Sequence, residues 1–156
     1  MRQVALVTGA SRGIGSAIAA QLAREGYSVC INYHQNRQAA QALADRLQSQ
    51  GYSAMTAAAD VAVRAEVEAM VRSVEQTLGP VTLLVNNAGI SSQEQFQDLS
   101  DAAWERYFAV NVTGARNAIL AVLPHMLSEK SGCIVNLSSI WGLRGASCEV
   151  AYACTK

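Results

Sequence analysis

The chain has 156 residues, 51% hydrophobic and 15% charged, so it can bury a sizeable core and is not a disordered segment. Lysine plus arginine equal aspartate plus glutamate at 12 each, which gives no basic field for nucleic acid. No apolar run reaches membrane-spanning length and MRQVALVTG lacks the flanks of a signal peptide; with no Cys-x-x-Cys pair among Cys30, Cys133, Cys148 and Cys154, a reduced, cytoplasmic protein without zinc is expected.

Short apolar runs alternate with longer segments of helical period. In chain order the pattern predicts a strand at Val4–Thr8, a helix at Ile14–Glu25, a strand at Ser28–Tyr33 and a helix at Arg37–Gln50. A strand at Ser53–Ala58 and a helix at Val63–Leu78 follow, then a strand at Val81–Asn86 and one helical stretch over Asp101–Leu127. The last elements are a strand at Cys133–Ser138 and a helix opening near Glu149. Val63, Val67, Met70, Val71, Val74 and Leu78 form one apolar stripe on the third helix, and Gly26, Gly51 and Gly79 stand where helices end in a left-handed residue. This alternation predicts an α/β fold, a doubly wound parallel sheet covered on both faces. Residues 1–156 form a single domain with five strands, against six in the full nucleotide fold, so C-terminal strands are expected to be missing.

The stretch VTGASRGIGSAI leaves the first strand and opens the first helix. Gly9, Gly13 and Gly15 permit a tight turn and close backbone approach, and the helix N-terminus receives a pyrophosphate; a generic tight turn is the plain alternative. CINYHQNR closes the second strand with Asn32, Tyr33 and His34, without the acid that would take a ribose 2′-hydroxyl. Arg12 and Arg37 are cations suited to a 2′-phosphate, so NADP is favoured over NAD, although Arg37 could equally be a solvated helix start. Asp60 and Val61 could contact an adenine edge, and Asp60 is equally explained as part of the N-cap region of the third helix. In LLVNNAGI, Asn86 is expected to brace the turn while Asn87, Ala88 and Gly89 pass close to the cofactor. In AYACTK, Tyr152 and Lys156 stand one helical turn apart, a proton donor beside a cation.

Taken together, TGASRGIG, NNAG, the asparagine of FAVNVTG, the serines of VNLSSIWG and the final YACTK resemble the classical short-chain dehydrogenase/reductase family over the whole chain and in order. Within the family the chain resembles 3-oxoacyl-acyl-carrier-protein reductases of fatty acid biosynthesis. The resemblance implies a Rossmann-like fold and an oxidoreductase with catalytic residues Asn111, Ser139, Tyr152 and Lys156. Ser139, thirteen residues before the tyrosine, takes the family's serine position, with Ser138 its structural neighbour. It also implies cofactor contacts from Gly9, Ser11, Arg12, Gly13, Ile14, Gly15, Asn32, Arg37, Asp60, Val61, Asn87, Ala88, Gly89, Tyr152 and Lys156. By the same resemblance Asn111 holds a water that relays protons to the lysine. The implied partners are a small-molecule or carrier-bound carbonyl substrate and further copies of the chain in a homodimer or homotetramer, with no nucleic acid and no membrane. NADPH-dependent reduction of a ketone is the expected function, with a 3-oxoacyl thioester as the first substrate expectation and another small ketone as the alternative. A truncated, non-catalytic nucleotide-binding fragment is the rival expectation, because the substrate lid would follow Lys156. His34, His125 and Trp104 are read as packing or surface residues, and Trp141 as a minor substrate contact.

Overall fold

The computed structural model describes residues 3–156; Met1 and Arg2, the start of the stretch MRQVALVTG, lie outside the described residues. Five strands, β1 (Val4–Val7), β2 (Ser28–Tyr33), β3 (Ala54–Ala58), β4 (Leu83–Asn86) and β5 (Cys133–Asn136), pair in the order β3-β2-β1-β4-β5, all parallel. Helices α1 (Gly13–Arg24), α2 (Arg37–Ser49) and α3 (Arg64–Thr77) alternate with them, followed by α4 (Asp101–Phe108), α5 (Gly114–Glu129) and α6 (Val150–Thr155). Apart from the stretch Asp101–Leu127, the predicted elements are present with ends displaced by one or two residues. Gly26, Gly51 and Gly79 adopt φ of 92°, 87° and 107°, as the helix ends require.

Side-chain alternation along β1 divides the core into two layers. Val4 and Leu6 pack with Val67, Val71, Val74 and Val122 of α3 and α5. Ala5 and Val7 pack on the other face with Ala19, Leu43 and Leu47 of α1 and α2. A fully buried leucine such as Leu6 contributes about 1.5–3 kcal/mol through burial alone. β5 is an edge strand and largely exposed, with Ile134 half-buried.

The chain leaves β1 through α1 toward β2 and leaves β3 through α3 toward β4, on opposite sides of β1. Strand order therefore reverses between β1 and β4, and the crevice beyond their carboxyl ends is where open α/β sheets take ligands.

One predicted element is corrected. The stretch Asp101–Leu127 is not a single α-helix: a π-helical turn at Ala109–Thr113 separates α4 from α5, which runs on to Glu129. The wider turn carries Asn111, buried and bonded outside its own helix. Gly114, just after it, lets the backbone approach Val61, whose Cγ2 would lie 2.6 Å from an added Cβ. Single π turns of this kind concentrate at functional sites.

Candidate functional site

The glycine loop between β1 and α1 is held from two sides. From β2, Asn32 accepts from the Gly9 N–H at 3.0 Å and donates to the Ala57 and Ala59 carbonyls at 3.2 Å each. From the end of β4, Asn87 donates to the Thr8 and Gly9 carbonyls at 2.8 and 3.1 Å. Thr8 Oγ1 returns the contact, accepting from the Asn87 and Ala88 N–H groups at 3.1 and 3.0 Å. Gly9 has φ of 61° and no room for a side chain, since an added Cβ would sit 2.8 Å from Ala88 Cα. The Gly15 position is closed by the Asn87 side chain and lies behind the loop. Arg12, the N-cap of α1, gives no side-chain cap, so the first-turn N–H groups remain open to an anion.

The expectation that Asn86 braces this turn is corrected: Asn87 does so, being within reach of the loop carbonyls. Asn86 instead donates to Asn136 Oδ1 of β5 at 2.9 Å, and its buried Oδ1 has no partner among the described residues.

A groove of about 770 Å³ runs across the carboxyl ends of the strands. One wall carries Gly9, Ser11, Arg12, Gly13 and Ile14; the other carries Asp60, Val61, Asn87, Ala88 and Gly89. Asn32 also reaches the groove, but its amide is fully used in bracing the loop. Arg37 does not line it. Asn36 caps α2, accepting from Ala39 N at 3.2 Å, and Arg37 begins the helix beside Gln38, Gln41 and Asp45 in a separate shallow depression. Of the two candidate cations only Arg12 lines the groove, and the place of Arg37 matches the alternative of a solvated helix start.

Among the groove residues with no predicted role are Arg106 and His34, the latter expected to be a packing or surface residue. Both face Asp60, with Arg106 Nη2 at 2.9 Å and His34 Nε2 at 3.8 Å from its Oδ2. Asp60 Oδ1 accepts from Ala62 N at 2.9 Å, and Asp60 N donates to Glu66 Oε2 at 2.8 Å. Burial pushes the Asp60 carboxyl up, but the Ala62 N–H and the hydrogen bond and positive charge of Arg106 hold it below the ordinary aspartate value. Asp60 is not the N-cap of α3; Val63 is, without a side-chain bond. Neither histidine nor arginine stood at a motif spacing, so local pattern carried no signal for this cluster.

At the other end the terminal helix meets the π turn. Asn111 Oδ1 accepts from Ile90 N at 2.8 Å, and its amide donates to Ile90 O at 3.0 Å and Thr155 Oγ1 at 2.8 Å. A Cβ on Gly89 would lie 3.3 Å from Asn111 Oδ1 and 3.6 Å from Lys156 Nζ, so these three residues converge. Lys156 Nζ donates to Leu137 O at 2.9 Å and stands 5.7 Å from the centroid of the Tyr152 ring. Burial pushes this ammonium below the usual lysine range. The Tyr152 hydroxyl has no protein partner among the described residues. Ser138 donates to Lys156 O at 2.8 Å, whereas Ser139 accepts from Trp141 N at 3.2 Å and starts the turn Ile140–Gly142. Ser139 makes no hydrogen bond to Tyr152 or Lys156 among the described residues. A cavity of about 130 Å³ borders Asn86, Asn111, Asn136, Thr155 and Lys156, large enough for a few waters.

The model of the short chain dehydrogenase family matches residues 3–156. The chain belongs to this family. The short-chain dehydrogenase chain is 40% identical over all 156 residues to a 3-oxoacyl-acyl-carrier-protein reductase of Staphylococcus epidermidis, of which it spans 64%. It is 37% identical over 154 residues to the protein of that name from Synechocystis, covering 99% of this chain and 62% of that one. A crystal structure of a gluconate 5-dehydrogenase from Burkholderia cenocepacia superposes with a TM-score of 0.91 at 35% identity, covering 99% of this chain and 60% of the other. The chain thus spans less than two thirds of the length of these relatives. Among the described residues of this family member, no helix is long and apolar enough to cross a membrane.

Proposed function

We propose that this single domain is the nucleotide-binding and catalytic portion of an NADPH-dependent oxidoreductase that reduces a ketone to a secondary alcohol. The observation that carries the reading is Lys156 Nζ beside the Tyr152 ring, at the end of a groove that begins at an open helix N-terminus. The bound cofactor supplies the hydride to the carbonyl carbon. The chain's own residues supply binding, orientation and the proton.

The glycine loop suits a pyrophosphate because Gly9 and Gly15 leave no volume for side chains and the α1 N–H groups are unpaired. Val61 N has no protein partner among the described residues and lies next to an ionised Asp60, a donor and acceptor pair for a base edge. Arg12 in the groove, with no acid at the end of β2, supports a 2′-phosphate over a free hydroxyl. The Burkholderia gluconate 5-dehydrogenase, whose structure is in complex with NADP and tartrate, lends the same preference.

Tyr152 gives its hydroxyl proton to the carbonyl oxygen as negative charge develops there. Lys156, a cation near the ring, stabilises the phenolate left behind. Ser139 donates to the same substrate oxygen, for which its side chain is free apart from accepting from Trp141 N. Asn111 fixes the loop at Ile90 and, through Thr155, the helix that carries Tyr152 and Lys156. The relatives named as 3-oxoacyl-acyl-carrier-protein reductases favour a 3-oxoacyl thioester as substrate. A homodimer or homotetramer in the cytoplasm completes the reading.

A second reading, nucleotide binding without turnover, is favoured by Ser139, which accepts from Trp141 N and makes no hydrogen bond to Tyr152 or Lys156 among the described residues. One experiment separates the two. NADPH and NADH affinities are measured by calorimetry, and acetoacetyl-thioester reduction is followed by loss of NADPH absorbance, for wild type and Tyr152→Phe. The reductase reading expects tighter binding of NADPH, and turnover that falls about 100-fold or more in the variant with an unchanged dissociation constant. Tight NADPH binding with no turnover by the wild type selects the second reading, and no nucleotide binding overturns both.

A further inference from the structure

We propose that Arg106 of α4 is a positioning residue for the base of the nucleotide: by fixing Asp60, it makes the groove select a purine that presents an N–H donor over one that presents a carbonyl. The inference rests on the dinucleotide reading above and goes beyond it in assigning Arg106.

Asp60 is side-chain buried to 12% exposure and pinned at both oxygens, Oδ1 by Ala62 N at 2.9 Å and Oδ2 by Arg106 Nη2 at 2.9 Å. Those two contacts come from different elements, the segment before α3 and the face of α4, and together they set the plane of the carboxylate. A carboxylate has about four lone-pair sites, so acceptor capacity remains after both bonds are made. Being ionised, it can only accept. Adjacent to it is the Val61 N–H, without a protein partner among the described residues and therefore able only to donate. An acceptor next to a donor matches the edge of adenine, whose amino group donates and whose neighbouring ring nitrogen accepts. Hypoxanthine, with a carbonyl in place of the amino group, sets two acceptors against each other there.

Arg106 has a second effect at this place. The groove also carries Arg12 and the glycine loop, where phosphates are expected. A lone carboxylate would repel those phosphates, and the guanidinium offsets its charge without withdrawing it from the base. His34, at 3.8 Å and 48% exposed, is too distant to hold the carboxylate by a hydrogen bond, so the orientation depends on Arg106.

The test compares dissociation constants of NADP and its hypoxanthine analogue for wild type, Arg106→Met and Arg106→Lys, with thermal unfolding run on each protein. The wild type is expected to prefer the adenine form about tenfold, as for one hydrogen bond to a charged acceptor discounted for partial exposure. Arg106→Met should reduce that preference to about threefold or less, and Arg106→Lys should restore most of it. A folded Arg106→Met protein that keeps the full preference, even with both affinities lowered, overturns the inference. Should Arg106→Met not fold, Arg106→Gln, which keeps a donor without the charge, decides by the same ratio. A wild type that binds both nucleotides equally overturns this inference alone, whereas one that binds neither overturns the dinucleotide reading itself.

Discussion

Asn111 and Thr155 lie 44 residues apart in the chain and are joined by a 2.8 Å hydrogen bond from the Asn111 amide to the Thr155 hydroxyl. Thr155 in turn donates to the Tyr152 carbonyl at 2.8 Å. The π turn is thereby tied to the helix that carries Tyr152 and Lys156. The tie fixes the position of α6 against the segment between α4 and α5.

Replacing Asn111 by leucine should therefore be costly. The substitution leaves the Ile90 N–H and carbonyl and the Thr155 hydroxyl without their partner. At about 1–3 kcal/mol for each buried unsatisfied group, discounted for partial exposure at Ile90, the loss should be about 2–4 kcal/mol. Urea unfolding measures it, with Thr155→Val expected to cost only about 1 kcal/mol. An Asn111→Leu protein as stable as the wild type would show that the tie holds nothing in place.

The cysteines separate by burial. Cys30 is buried in β2, and desolvation pushes its thiol up to about 12, while Cys133, Cys148 and Cys154 are exposed. Because the thiolate is the reactive form, alkylation of the native protein near neutral pH should add three groups, with the fourth added only on denaturation. Intact-mass analysis reads the count directly. Rapid native labelling of Cys30 would mean that β2 opens far more readily than its place in the sheet implies.

What could be read from the sequence was the periodic part. Apolar stripes located the helices, and buried apolar runs located the strands. The motifs marked the residues at the sheet's carboxyl edge. Which of two adjacent polar residues does a given job was not legible. Asn86 and Asn87 differ only in which way the chain turns after β4, and this alone sends Asn87 to the loop and Asn86 toward Asn136. The π turn was hidden because one inserted residue barely disturbs an apolar period, while its consequence, Asn111 facing Ile90, is tertiary. Arg106 and His34 meet Asp60 from distant parts of the chain, so no local spacing announces them.

The Asp60–Arg106 pair should make stability depend on pH in the acid range. The folded value of Asp60 is depressed, so its contribution is fully present above the unfolded carboxylate value of about 3.9 and is lost as pH falls through the folded value. Arg106 is partly exposed, which limits the pair to about 0.5–1 kcal/mol. Wild type should exceed Arg106→Met by that amount at neutral pH, with the difference shrinking toward zero below the folded Asp60 value. Chemical unfolding across the acid range checks this, and a difference that stays constant with pH would assign it to packing by the arginine stem.

The glycine loop offers a comparison in which conformation is held fixed and space is varied. Gly9 and Gly13 have nearly the same left-handed backbone, φ of 61° and 59°, but an added Cβ meets Ala88 Cα at 2.8 Å at Gly9 and nothing within 4 Å at Gly13. Alanine at either position carries the left-handed penalty of about 1–2 kcal/mol. Only at Gly9 must backbone also move, which adds about 1–3 kcal/mol and pulls the loop away from Asn87 and Asn32. Gly13→Ala should thus cost about 1–2 kcal/mol and Gly9→Ala about 2–5 kcal/mol in urea unfolding. Nucleotide affinity, measured at a temperature where both variants are folded, should fall further for Gly9→Ala. Equal stability losses at the two positions would mean that the close approach of Ala88 relaxes without cost, and that the shape of the phosphate loop does not depend on it.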